Sequence, residues 1–278
     1  MNLPSPIVFT DMDGSLLDHY DYSHACADEL LAKLASYRIP VIPATSKTRS
    51  ECLALRDELN NTDPFITENG AAIYIPLHYF KHIPEDVHLA NQYYVKTMVA
   101  RRAHWQNILE QFDERYPETF ISFERAGIEG IMALTGLDYA QAMRAAEREY
   151  GEPLKWQGTA QQFDLFCEYM QSNDAHLLRG GRFIHVSGDC DKGRALEWTM
   201  THYQYNYQRP LVSIAVGDSG NDVAMLEAAD YAVLIRSPAH DLPQLASNKE
   251  LIVTEKYGPE GWVEGMTKIL KKLAINIE

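Results

Sequence analysis

Cysteine is scarce in this sequence and nowhere clustered: Cys26, Cys52, Cys167 and Cys190 are the four in 278 residues, and no pair has C-x-x-C spacing. That excludes a disulfide scaffold and points to a reduced compartment. No stretch approaches the roughly 20 consecutive apolar residues that span a bilayer, although hydrophobic residues make up 46% of the chain. No membrane partner is expected, and the acidic cluster beginning at Asp11 leaves no room for a secretory signal, so the expectation is a cytoplasmic globular protein. Positive charge is in deficit, with 25 Lys and Arg against 39 Asp and Glu and a formal charge of −14. A nucleic-acid partner needs clustered cations and is excluded on that ground. A small anionic substrate is not excluded, but its site must reverse the sign locally with a few cationic side chains and a metal ion. The ten histidines include no metal-spaced helical pair, and His185, on an apolar strand, reads as structural.

What is present is an alternation of apolar runs and helix-period segments. Ile7-Val8-Phe9 leads into Asp11, and a helix is expected from Ser23 to Tyr37. Ile39-Pro40-Val41-Ile42 reads as a strand ending at Ala44-Thr45-Ser46, and Arg49 to Leu59 as a second helix. Strands 65–67 and 72–75 flank the turn Glu68-Asn69-Gly70, and the rhythm then changes to polar helices with short strands until about Ser187. It resumes with a helix from Lys192 to Tyr205, a strand at 212–216, a helix at 223–229 and a strand at 232–235. Strands with helices between them imply an α/β protein with a doubly wound parallel sheet. The division expected is a discontinuous core, residues 1–84 and 188–278, interrupted by an inserted α+β domain at 85–187.

In open parallel sheets, ligands bind beyond the carboxyl ends of the strands. Four clusters fall there: Asp11-x-Asp13-Gly14-Ser15, Thr45-Ser46, Lys192 opening a helix, and Gly217-Asp218-Ser219-Gly220-Asn221-Asp222. Singly, each has a bland explanation as a turn or a helix cap. In combination they place carboxylates on one sheet edge, where they repel one another unless protonated or bound to a cation. Magnesium, a hard ion that takes oxygen ligands and bridges carboxylates to phosphate, suits such an Asp-rich, His-poor set. A dinucleotide-binding reading fails, because Gly217-Asp218-Ser219-Gly220 is not a G-x-G-x-x-G turn and the first strand ends in carboxylates that would repel a pyrophosphate.

In order and spacing these clusters resemble the haloacid dehalogenase superfamily of aspartate-dependent phosphotransferases. The resemblance implies that Asp11 is the nucleophile and Asp13 the acid that protonates the leaving alkoxide and then activates water. It implies that Thr45 and Ser46 bind phosphate and that Lys192 neutralises the nucleophile and phosphate. Asp218 would bind the metal with Asp11 and the backbone carbonyl of Asp13, with Asn221 and Asp222 close by. An acid at position 13 favours phosphate-ester chemistry over dehalogenation, and Ser15 stands where the superfamily more often has threonine.

Further runs narrow the match. Thr45-Ser46-Lys47-Thr48-Arg49 with Glu51, Glu68-Asn69-Gly70-Ala71, Arg148-Glu149-Tyr150-Gly151-Glu152-Pro153, Gly180-Gly181-Arg182-Phe183 and Gly258-Pro259-Glu260-Gly261-Trp262 resemble the mannosyl-3-phosphoglycerate phosphatase family. This implies a substrate carrying a phosphate, a carboxylate and a neutral sugar, with Lys47, Arg49 and Arg182 as candidate anion partners alongside Ser46 and Asn221. Surface salt bridges are the competing account of those cations, and Glu149 and Glu152 either accept sugar hydroxyls or finish a helix. A phosphatase acting on glucosyl-3-phosphoglycerate or sucrose phosphate stays open, as does a receiver-like module that accepts phosphate on an aspartate without turnover.

Overall fold

The structure is a computed structural model that describes residues 4–180, 183–246 and 250–275. In chain order its elements are β1 (Ser5–Thr10), α1 (Asp28–Ser36), β2 (Val41–Pro43), α2 (Arg49–Glu58), β3 (Phe65–Thr67), β4 (Ala72–Pro76), β5 (His88–Ala90) and β6 (Tyr93–Thr97). There follow α3 (Arg102–Arg115), β7 (Phe120–Ser122), α4 (Phe123–Thr135), α5 (Tyr139–Ala146), β8 (Glu152–Trp156), α6 (Ala160–Ser172), β9 (His176–Gly180) and β10 (Phe183–Ser187). The chain ends with α7 (Lys192–Tyr207), β11 (Leu211–Gly217), α8 (Val223–Ala228), β12 (Tyr231–Arg236), β13 (Glu250–Tyr257) and α9 (Gly258–Lys272).

The central sheet has the order β13-β12-β11-β1-β2, with every pairing parallel. Its inner strands are largely apolar because both faces are covered. Ile7 and Phe9 of β1 face one core with Ala215 of β11 and the helices α7 and α8. Val8 faces the other, with Ile214, Val216 and Val233, against α9 residues Trp262, Met266 and Ile269. A strand read as one continuous apolar run therefore serves two layers, which is the doubly wound arrangement expected from the alternation.

From β1 the chain moves to β2 on one side, and β11 later pairs on the other. A crevice opens at the carboxyl end of β1, where successive connections leave in opposite directions. Residue 11 follows β1, residue 45 lies just beyond β2 and residue 218 follows β11.

Two antiparallel sheets accompany the central one, ordered β3-β4-β6-β5 and β7-β8-β10-β9, and the first adds Ile66, Ile73 and Ile75 to the core of Ile7 and Phe9. The hairpin β5–β6 falls beyond the expected boundary at residue 84, yet β6 hydrogen-bonds along β4 from Ala72 to Pro76. The β7-β8-β10-β9 sheet packs against α3 and α6 through Trp105, Leu109, Phe112, Phe166 and Met170. This is the inserted α+β unit. Of the tyrosines at 203, 205 and 207, Tyr203 is buried and its hydroxyl meets that of Tyr79 at 2.6 Å, which makes it a packing residue.

Candidate active site

Asp11 follows β1 at the crevice, and its position is set from both sides of the backbone. Its N–H donates to the Val216 carbonyl at 2.8 Å. Its carbonyl accepts from the Thr10 hydroxyl at 2.8 Å, and that hydroxyl in turn accepts from Trp262 Nε1 at 3.0 Å. Trp262, fully buried, thus ties α9 to the residue preceding Asp11.

Lys192 opens α7 behind the Asp191 cap, whose side chain accepts from the Arg194 N–H. Its ammonium donates to Asp11 Oδ1 and Asp222 Oδ1, each at 2.6 Å, and the whole side chain is buried. Burial alone would lower its pKa, but the charges of Asp11 and Asp222 outweigh that and hold it above the ordinary lysine value. Asp222 Oδ2 accepts the backbone N–H groups of Asp218 and Ser219 at 3.1 and 3.0 Å. Gly217 makes room for this turn, since a Cβ there would lie 2.5 Å from Asp222 Cβ. Gly70, at φ +97°, lets the turn after β3 close on the start of α7, where a Cβ would lie 2.1 Å from the Asp191 carbonyl oxygen.

Carboxylate oxygens of Asp11, Asp218 and Asp222 lie within 4.8 Å of one another. Burial, then the charge of Asp222, pushes the Asp11 carboxyl well above the ordinary carboxylate range despite Lys192. Burial and Asp222 likewise push Asp218 up to about 6, opposed by His240 and Lys192. One ammonium is too little positive charge for three buried acids. An all-oxygen, buried and under-neutralised set is the environment a hard divalent cation completes, and these three residues would hold it.

The remaining sequence candidates follow β1, β2 and β11 in the chain. Thr45 is buried, and its hydroxyl accepts from the Lys47 N–H at 3.1 Å. The Asp13 carboxylate lies outside the three-acid group and pairs with Lys47 Nζ at 2.8 Å. Arg49 pairs through Nε with Glu149 at 2.8 Å, so two of the three cations proposed for anions already have acid partners. Asn221 donates from Nδ2 to Asn69 Oδ1 at 3.0 Å. Gly181 and Arg182 lie outside the described residues.

Sequence reasoning overlooked three side chains. His240 Nε2 sits 3.2 Å from Asp218 Oδ2. Glu68 accepts the backbone N–H groups of Glu149, Tyr150 and Gly151 at 2.8, 3.2 and 2.7 Å, clamping the insertion to the turn after β3. Arg148 donates from both Nη atoms to the Ser46 carbonyl, at 3.2 and 2.8 Å. Glu68 and Arg148 stood inside motif-like runs, which was their one signal; nothing local marked His240.

The family model described as haloacid dehalogenase-like hydrolase matches residues 8–91 and 158–256. The chain belongs to the haloacid dehalogenase-like hydrolases. A glucosyl-3-phosphoglycerate/mannosyl-3-phosphoglycerate phosphatase of Methanococcoides burtonii is 34% identical over 266 residues, covering 96% of this chain and 97% of that one. One of the same description from Persephonella marina is 31% identical over 269 residues, covering 96% and 98%. Among solved structures, the sucrose-phosphatase of Synechocystis, in complex with sucrose and phosphate, superposes with a TM-score of 0.63 at 13% identity, covering 98% of both chains. This member of the haloacid dehalogenase-like hydrolases is a phosphoric monoester hydrolase, and its α/β core with an inserted α+β unit is the fold of its structural neighbours.

Proposed function

We propose that this sugar-phosphate phosphatase hydrolyses mannosyl-3-phosphoglycerate, with glucosyl-3-phosphoglycerate as a second substrate of the same site, to the glycosylglycerate and phosphate. The observation that carries the reading is Asp11 at the carboxyl end of β1, bonded to Lys192 and grouped with Asp218 and Asp222. The two relatives whose names print both substrates align along 96% of this chain and supply the substrate class.

In this reading Asp11 attacks phosphorus and carries the phosphoryl group as an aspartyl phosphate. Lys192 aims Asp11, opposes the rise in its pKa that burial and Asp222 impose, and balances charge on the transferring group. Asp13, partly exposed, gives its proton to the leaving alkoxide and then takes one from the attacking water. Thr45 and Ser46 position the phosphate, and the insertion after residue 84 selects the leaving group. Magnesium, bound by Asp11, Asp218 and Asp222 with the Asp13 backbone carbonyl, would neutralise phosphate oxygens when present. The four cysteines are free thiols, in keeping with a cytoplasmic setting, and among the described residues no helix is long and apolar enough to cross a membrane.

The test is phosphate release from the mannosyl and glucosyl esters, sucrose phosphate and simple hexose phosphates, with magnesium and with EDTA. Preference for the two phosphoglycerate esters, dependent on magnesium, is expected. A preference for sucrose phosphate or hexose phosphates removes the substrate assignment. An aspartyl phosphate that accumulates without release would instead favour the receiver-like reading.

A further inference from the structure

A cavity of about 300 Å³ lies where the inserted unit meets the core, with Asn69, Arg148, His185, Ser187 and Asn221 in its wall. The acids that also line it, Glu68 and Asp191, are committed: Glu68 to three backbone N–H groups and Asp191 to the N–H of Arg194 at 2.8 Å. His185 is neutral, its pKa held down at about 3 by burial and by the charge of Arg148. Arg148 is the guanidinium of this wall, and His176, which also lines it, has its Nδ1 3.8 Å from Asp189 Oδ1.

Its hydrogen bonding is incomplete. A guanidinium has five N–H hydrogens, and both Nη atoms of Arg148 converge on one acceptor, the Ser46 carbonyl. Nε is buried with no hydrogen-bond partner among the described residues. Arg148 differs in this from Lys47 and Arg49, two of the three cations that the sequence nominated, which are paired with Asp13 and Glu149. A partly buried guanidinium with no carboxylate partner among the described residues calls for an anion from outside them, and its planar fork suits a carboxylate. Its contact with Ser46 puts it one residue beyond Thr45, at the edge of the Asp11 site.

We infer that Arg148 binds the carboxylate of the leaving group, so that this cavity holds the glycerate part of the substrate while the phosphate sits at Asp11. The inference rests on the substrate class proposed above. It makes Arg148 a specificity residue for esters that carry a second anion.

The experiment compares kcat/KM for 3-phosphoglycerate and glycerol 3-phosphate, phosphate esters that differ in the carboxylate, using the full chain with magnesium. Wild type should favour 3-phosphoglycerate at least tenfold. Arg148→Met should lower kcat/KM on 3-phosphoglycerate about 100-fold and leave glycerol 3-phosphate within about threefold, with Arg148→Lys intermediate. Unchanged turnover of glycerol 3-phosphate shows in the same assay that the variant is folded. An equal fall on both esters would make Arg148 a strap on the Ser46 loop and overturn the inference, as would a wild type indifferent to the carboxylate. If neither glycosyl ester is a substrate but the carboxylate preference exists and vanishes in Arg148→Met, the glycosyl assignment falls and Arg148 keeps its role. If the glycosyl esters are hydrolysed and the preference survives in Arg148→Met, the reverse holds.

Discussion

Lys47 Nζ lies 2.8 Å from Asp13 Oδ1, joining two residues that the sequence had given separate tasks, one as an anion-binding cation and the other as the proton-transferring acid. The Lys47 ammonium also stands 5.2 Å from the centre of the Tyr22 ring. Lys47→Met should leave Asp13 without the partner that fixes its rotamer. The expected outcome is a fall in kcat of about 10- to 100-fold with a loss of stability of about 1 kcal/mol, since the pair is partly solvated. Steady-state kinetics with thermal unfolding checks both; an unchanged kcat would make the pair a surface tether.

Lys192 compensates two buried carboxylates at once. Removing it in Lys192→Met leaves Asp11 and Asp222 without their cation, a change expected to cost about 3–5 kcal/mol and to abolish phosphate release. Magnesium should restore part of the lost Tm by binding the more negative site. Urea unfolding with and without 10 mM magnesium (about this concentration suffices for a millimolar site) reads the effect. Wild-type stability in the variant would mean that the three acids are not charged together.

The pH dependence of the metal-free protein has a definite sign at Asp218. Its folded pKa of about 6 lies above the ordinary 3.8, so the folded state binds this proton more tightly than the unfolded chain does. That stabilisation is complete below about pH 3.8 and lost as pH rises through about 6. Asp218→Asn has no proton to lose. In EDTA its stability relative to wild type should therefore improve between pH 4 and pH 7, by at most about 3 kcal/mol. With magnesium the wild type should regain the advantage at pH 7. Equal differences at the two pH values, measured by urea unfolding in EDTA, would contradict the burial argument.

Glu68 gathers three backbone donors from residues 149–151. Glu68→Ala strands the donors of Tyr150 and Gly151, both buried, at an expected cost of about 3 kcal/mol. Because the clamp sets how the insertion meets the core, KM should rise more than kcat falls. A stability loss under about 1 kcal/mol by denaturant unfolding would show that water replaces the carboxylate.

Much of the core was legible before folding. Val8, Ile214 and Val216 lie in uninterrupted apolar runs, as strands covered on both faces must, and an acid or hydroxyl at the end of each run marks the sheet edge where ligands bind. The strand β13 and the hairpin β5–β6 were not legible. Of Glu250–Tyr257, Thr254 alone is buried, as in an outer strand, and its apolar residues at 251–253 are followed by the polar run 254–256.

Asp11 illustrates the division most directly. Its residue type and its place after an apolar strand are local facts, and the resemblance to the haloacid dehalogenase superfamily nominated it together with Lys192 and Asp218. The partners of the other charged side chains are not local. Arg49 meets Glu149 across 100 positions and Glu68 meets Glu149 across 81, because the insertion folds back onto the turn after β3. A side chain's charge is written in its residue type, but its energy depends on what comes within a few ångströms of it. For Arg49 and Arg148 that distance was set by how the insertion seats on the core, which gave Arg49 an acid in Glu149 and Arg148 the Ser46 carbonyl instead.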